Sequence, residues 1–124
     1  MQNISSLAVA NLMAAKALAA TETGVGTDIS DFTGNAKIVL NSSAMTGAGA
    51  TSDVKLQHSD TSGGTYTDTG IAFAQTTLAG GASFQVIERN IDGLKKFVRV
   101  VSTLAGTTPT VTQAVSIIGK KANG

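Results

Sequence analysis

Apolar and polar positions alternate with a period of two in short runs along most of the chain. Clusters of Gly, Ser, Thr, Asn and Asp separate the runs, which is the pattern of strands and turns. Residues 53–58 show it most clearly: Val54, Leu56 and His58 share one face, and Asp53, Lys55 and Gln57 the other. Residues 36–40 (Ala-Lys-Ile-Val-Leu) form another strand. A third covers residues 83–89, with Phe84 and Val86 placed inward. Residues 96–104 carry the strongest strand signal, because Phe97-Val98-Arg99-Val100-Val101 is β-branched and aromatic. Residues 111–118 return with Val111, Val115 and Ile117 on one face and Gln113 as a polar exception. Turn chemistry falls between these runs: the Ser-Thr-Gly run at 59–64, Asn90-Ile91-Asp92-Gly93, and the stretch 105–109. Gly93 is suited to a positive φ. This spacing predicts a mostly β chain, an antiparallel β-sandwich or jelly-roll-like domain over residues 24–119. Its expected core is Val54, Leu56, Phe84, Val86, Phe97 or Val98, Val100, Val111 and Val115.

Residues 1–23 read differently. Residues 3–20 are rich in Ala, Leu, Met and Lys, which are good helix formers. Ile4, Leu7, Asn11, Ala14 and Leu18 recur at helical spacing, although Asn11 interrupts the stripe. The segment is therefore expected to be an N-terminal helix or an extended arm, with Gly24 and Gly26 as a flexible joint. A helix of this length is marginal in water unless it packs on something. The expected role is a docking arm, with Ile4, Leu7, Leu12, Met13 and Leu18 as partner-binding residues. A helix lying on its own sandwich is the alternative. Residues 120–124 read as a polar tail.

Composition narrows the function classes. Charged residues make up 14% of the chain and the formal net charge is +1, too little field to steer a nucleic acid. Lys95-Lys96 and Lys120-Lys121 are the only tight basic clusters. Aromatics are only 4%, and single-strand binding would want exposed aromatics among basic residues. Without cysteine there is neither a disulfide framework nor a thiolate metal site. No apolar run is long enough for a membrane helix. Residues 7–20 lack a basic leader and are interrupted by Lys16, so a secretory signal is a poor fit. Low charge with many small residues leaves a surface that is cheap to desolvate, as interface cores are.

Candidate chemistry is sparse. A catalytic triad would have to use His58, the single histidine. Ser59 and Asp60 follow it directly, but neighbours on a strand point to opposite faces. Asp28 with Asp31, and Asp60 with Asp68, are paired carboxylates, yet neither spacing matches a calcium loop. Gly24-Val25-Gly26 and Gly47-Ala48-Gly49 lack the Lys-Ser/Thr and the helix that a phosphate loop needs. Tyr66 stands alone. The expectation is no catalytic residue, no metal and no cofactor.

Three stretches, in order, carry a resemblance: "DISDFTGNAKIVLNSSA" (28–44), "DVKLQHSDTSGGTYTDTG" (53–70) and "NIDGLKKFVRVVSTLAGTTPTVTQAVSII" (90–118). Within them "LQHSDTSGGTYTD" leads to "DGLKKFVRV" and then to "GTTPTVT". This set resembles the capsid decoration, cement or head structural proteins of tailed phages, and the span that holds it, residues 28–118, is about three-quarters of the chain. The resemblance implies a virion protein on the outer surface of the head. It would bind the major capsid protein and form a homo-oligomer, a trimer being favoured, without direct contact to nucleic acid or membrane. A tail or fibre component and a carbohydrate-binding β-sandwich are the competing classes.

Overall fold

The computed structural model describes residues 7–121. All ten elements are strands, and every pairing between them is antiparallel. One sheet, A, is four strands in the order β1 (Leu7–Leu18), β10 (Val111–Lys121), β4 (Phe32–Ser42), β8 (Ser83–Asn90). The other, B, has β9 (Phe97–Ala105), β5 (Thr51–Ser59) and β6 (Thr67–Ala72) side by side. Two short strands, β2 (Glu22–Thr23) and β3 (Thr27–Asp28), line the far side of β9, and β7 (Thr76–Thr77) pairs with β5 beside β6. The expected β-sandwich is therefore the fold.

The inward faces supply the core. Ala36, Ile38 and Leu40 of β4, Val115 and Ile117 of β10, Val54 and Leu56 of β5, and Val98 and Val100 of β9 are buried in one cluster. Of the pair Phe97 and Val98, Val98 is the buried one. Leu18, Met45, Ala50 and Val111 close one end as a second cluster.

Three expectations are corrected. First, residues 7–18 are a strand, not a helix, and β1 pairs with β10 from Leu7↔Lys120 to Leu18↔Val111. The register slips between Asn11 and Met13 and again between Met13 and Lys16. Each slip inserts an extra residue, which changes the phase of the alternation. The apolar positions then fall at intervals that imitate a helical stripe. β1 is thus a sandwich strand, not an arm ahead of a domain starting at residue 24, and Lys120 and Lys121 end β10 instead of forming a free tail. Second, Phe84 and Val86 face outward, 68% and 50% exposed. Ile87 is the β8 residue that packs on the core. A strand read one residue out of phase moves its whole set to the other face. Third, the 90–94 turn forms without a positive φ at Gly93. The Asn90 side chain accepts the Asp92 N–H at 2.9 Å, and Leu94 N–H donates to the Ile91 carbonyl at 3.0 Å.

Gln113, the polar exception, lies inside the sandwich. Its Nε2 donates to Ser52 Oγ at 2.9 Å and to Ser42 Oγ at 3.3 Å, and its Oε1 accepts from Ser102 Oγ at 2.7 Å. Ser52 and Ser102 are 3.1 Å apart. Because Ser102 gives its proton to Gln113, Ser52 must give its own to Ser102. The hydrogen bonds run in a closed ring from β10 to β5 to β9 and back, pinning sheet A to sheet B.

Beyond that pin, the loops at residues 46–50 and 106–110 pack backbone on backbone. Thr46 and Thr110 exchange both N–H···O bonds at 3.0 Å, and Thr107 N–H donates to Ala48 O at 3.0 Å. Gly106 has φ 114°, and a Cβ there would lie 2.8 Å from Ala50 Cα and 2.9 Å from Gly49 O. Gly106→Ala is expected to destabilise the protein by about 2–3 kcal/mol, read as a lower urea midpoint at unchanged slope.

Candidate functional site

The residues picked for chemistry do not converge. His58 Nδ1 accepts the Lys95 backbone N–H at 3.2 Å, a contact that fastens the 90–96 turn to β5. Asp28 folds back on its own turn by accepting the Ser30 N–H at 2.8 Å, with Lys96 3.8 Å away. The Ser30 hydroxyl and N–H, helped by the Lys96 ammonium, hold Asp28 below its ordinary pKa. Asp31 and Asp60 are exposed. Among the described residues no group of three or more His, Asp or Glu side chains is placed to hold a metal ion. Gly24 lies against the Val100 backbone and Gly47 against Thr107 and Thr108, so both glycine runs serve close packing.

Of the five partner-binding candidates, Leu12, Met13 and Leu18 are buried in this chain's own core. Once β1 is a sheet strand, Leu12, Met13 and Leu18 point at sheet B and have no surface left to offer. Ile4 lies outside the described residues, and Leu7 enters through its backbone pairing with Lys120. A groove of about 350 Å³ runs between β1 and the β2–β3 segment. The acid and base in its lining, Glu22 and Lys16, are bonded to each other at 2.9 Å.

The outer face of sheet A is the surface with the most unusual chemistry. The alternation that buries Ile38, Leu40, Val115 and Ile117 turns Val39, Ala114 and Ile118 outward. Val9 stands opposite Ile118, Val39 opposite Val86, and Phe84 two residues along β8 from Val86. The result is a diagonal row of apolar residues over all four strands, flanked by Lys37, Asn41, Ser116 and Glu88, in which Val9 and Phe84 are each 68% exposed. Isolated exposed apolar residues are ordinary, whereas several on one sheet face make it a candidate contact surface. It ends on β8, an edge strand that runs eight residues without a register break and so offers unpaired backbone groups. Sequence reading missed this face because it placed Phe84 and Val86 in the core.

Sheet B presents a polar outer face. Asp68 of β6 accepts from Gln57 Nε2 at 2.9 Å and lies 3.0 Å from Lys55 Nζ. The Gln57 amide first, and Lys55 after it, hold the Asp68 carboxyl below its ordinary value of 3.8. The folded pKa is lower than the unfolded one, so the stabilisation is present above the unfolded pKa and is lost as pH falls through the folded pKa. Carbon-detected NMR titration is expected to give Asp68 a midpoint below 3.8. Gln57→Ala should move that midpoint upward; an unmoved midpoint would remove the amide as the cause.

No protein-family model matches the chain, and no curated protein matches its sequence. Its fold is similar to that in the crystal structure of SPBc2 prophage-derived protein YomS, with a TM-score of 0.51 and 15% sequence identity. The superposition covers 96% of this chain and 100% of that one. At that identity the likeness is one of fold.

Proposed function

We propose that this chain is a non-enzymatic structural protein of a tailed-phage particle. In this reading it sits on the outside of the head, binds neighbouring major capsid subunits and so stabilises the shell, acting as a homo-oligomer. The observation that carries the reading is the end-to-end fold likeness to a prophage-derived protein, which spans both chains with almost nothing left over. Two features support it. The ordered stretches between residues 28 and 118 resemble head decoration proteins. The row of Val9, Val39, Val86, Phe84 and Ile118 offers a surface that a neighbouring subunit covers at little desolvation cost.

Mass spectrometry of gradient-purified particles tests this. The protein is expected in mature heads, at a copy number comparable to the major capsid protein. Absence from particles would end the proposal, and recovery with isolated tails alone would end the head assignment. Val86→Asp changes an exposed side chain and should leave the fold intact while reducing recovery on heads severalfold.

A further inference from the structure

Arg99 sits on the outer face of sheet B, on β9, opposite Gln57 of β5. Its Nε and Nη2 both donate to Gln57 Oε1, at 2.9 and 2.7 Å. Its guanidinium lies over the Tyr66 ring, 4.1 Å from the centroid. Tyr66 is held in turn, because its hydroxyl donates to the Ser62 carbonyl at 2.8 Å. Gly26 makes room for it: a Cβ at that position would collide with the Tyr66 hydroxyl oxygen. Arg99 is therefore clamped from two sides, the arrangement that pre-organises a planar fork.

What the clamp lacks is an anion. Lys16, Lys55 and Lys96 each have a carboxylate within 4 Å, whereas Arg99, like Lys37, Arg89 and Lys95, has none among the described residues; Arg99 alone of these is held by an aromatic ring and an amide. The nearest network carboxylate, Asp68, is bonded to the other end of the Gln57 amide and to Lys55. Gln57 thus stands between cation and anion, with its oxygen turned to Arg99 and its nitrogen to Asp68. Among the described residues Arg99 Nη1 makes no hydrogen bond, and it is not among the buried unpartnered polar atoms, so it reaches solvent. Nη2 spends one proton on Gln57 and keeps one on the side next to Nη1. The end of the guanidinium therefore presents two parallel N–H groups, which is the geometry that takes a carboxylate bidentately.

We propose that Arg99, on its Tyr66 platform, is a recognition site for a carboxylate side chain of a protein partner. Charge decides for a protein over a nucleic acid. Asp28 and Asp68 lie on the same sheet, and with a net charge of +1 the chain has no field to gather a polyanion. A half-buried Arg stacked on a Tyr also has the composition of an interface hot spot. The site does not depend on the partner being a capsid subunit.

The test is an NMR titration of the full chain with a terminally blocked tripeptide carrying one glutamate, observing the Arg99 Nε–H and the Tyr66 ring, with inorganic phosphate as a parallel arm. Saturable shifts at both residues are expected with the peptide and weaker ones with phosphate. Arg99→Lys keeps the charge and loses the fork, and Tyr66→Leu removes the platform; each should weaken binding at least fivefold. Lys96→Gln should change it less than twofold. Equal binding by Arg99→Lys would show a point-charge effect and overturn the proposal. So would tighter binding of phosphate than of peptide, or no shift at Arg99 at all.

Discussion

Deleting residues 1–18 is expected to unfold the protein. The deletion removes β1, and with it the edge pairing along β10 from Leu7↔Lys120 to Leu18↔Val111. It also takes Leu12, Met13 and Leu18 out of the core, where none is more than 6% exposed. Each such side chain contributes about 1.5–3 kcal/mol when fully buried. Three together approach the whole stability of a small domain, which is about 5–15 kcal/mol. The opposite sheet would expose what β1 now covers. Circular dichroism and a thermal melt should show loss of the cooperative transition. A truncated chain that still melts cooperatively would make β1 dispensable and would restore the docking-arm reading.

Gln113→Ala should be the most damaging single substitution, at about 3–5 kcal/mol. Three losses combine: the hydrogen-bonded ring breaks, the Ser52 and Ser102 hydroxyls are left buried with one partner fewer, and a cavity opens between the sheets. Gln113, Ser52 and Ser102 are all fully buried, so bulk solvent does not reach the hydroxyls that the amide leaves behind. The asymmetry of buried polar groups gives a control. Replacing the whole ring by apolar groups, as in Ser52→Ala with Ser102→Ala and Gln113→Leu, should recover most of the loss, to within about 1–2 kcal/mol of the original protein. Urea midpoints at constant slope measure both. A cost below about 1 kcal/mol for Gln113→Ala would mean that the ring does not hold the sheets together.

Much of this fold is legible in the alternation of residues. Val54, Leu56, Val98, Val100, Val111 and Val115 point inward as their spacing requires, because regular strands keep a strict period of two. The failures have two physical sources. In β1, two register slips break the period, and good helix formers such as Ala and Leu supply a false alternative. In β8, an edge strand, the outward residues Phe84 and Val86 are apolar and the inward ones include Gln85. That amide leaves the strand to bond both the N–H and the carbonyl of Ala74, at 2.8 and 3.0 Å. Polarity inverted in this way reads as a phase error of one residue. The Arg99 site is invisible for another reason: Gly26, Gln57, Tyr66 and Arg99 come from four separate segments, and only pairing brings them together. Tyr66, isolated in sequence, acquires its meaning from the strand beneath it.

The central claim is a place on the outside of a phage head, and a cryo-electron microscopy map of the particle that carries this protein tests it most directly. The prediction is sandwich-shaped density outside the shell, touching neighbouring capsid subunits through the row of Val9, Val86 and Phe84. A head map without that density, or one in which this face points to solvent while another makes the contact, would contradict it.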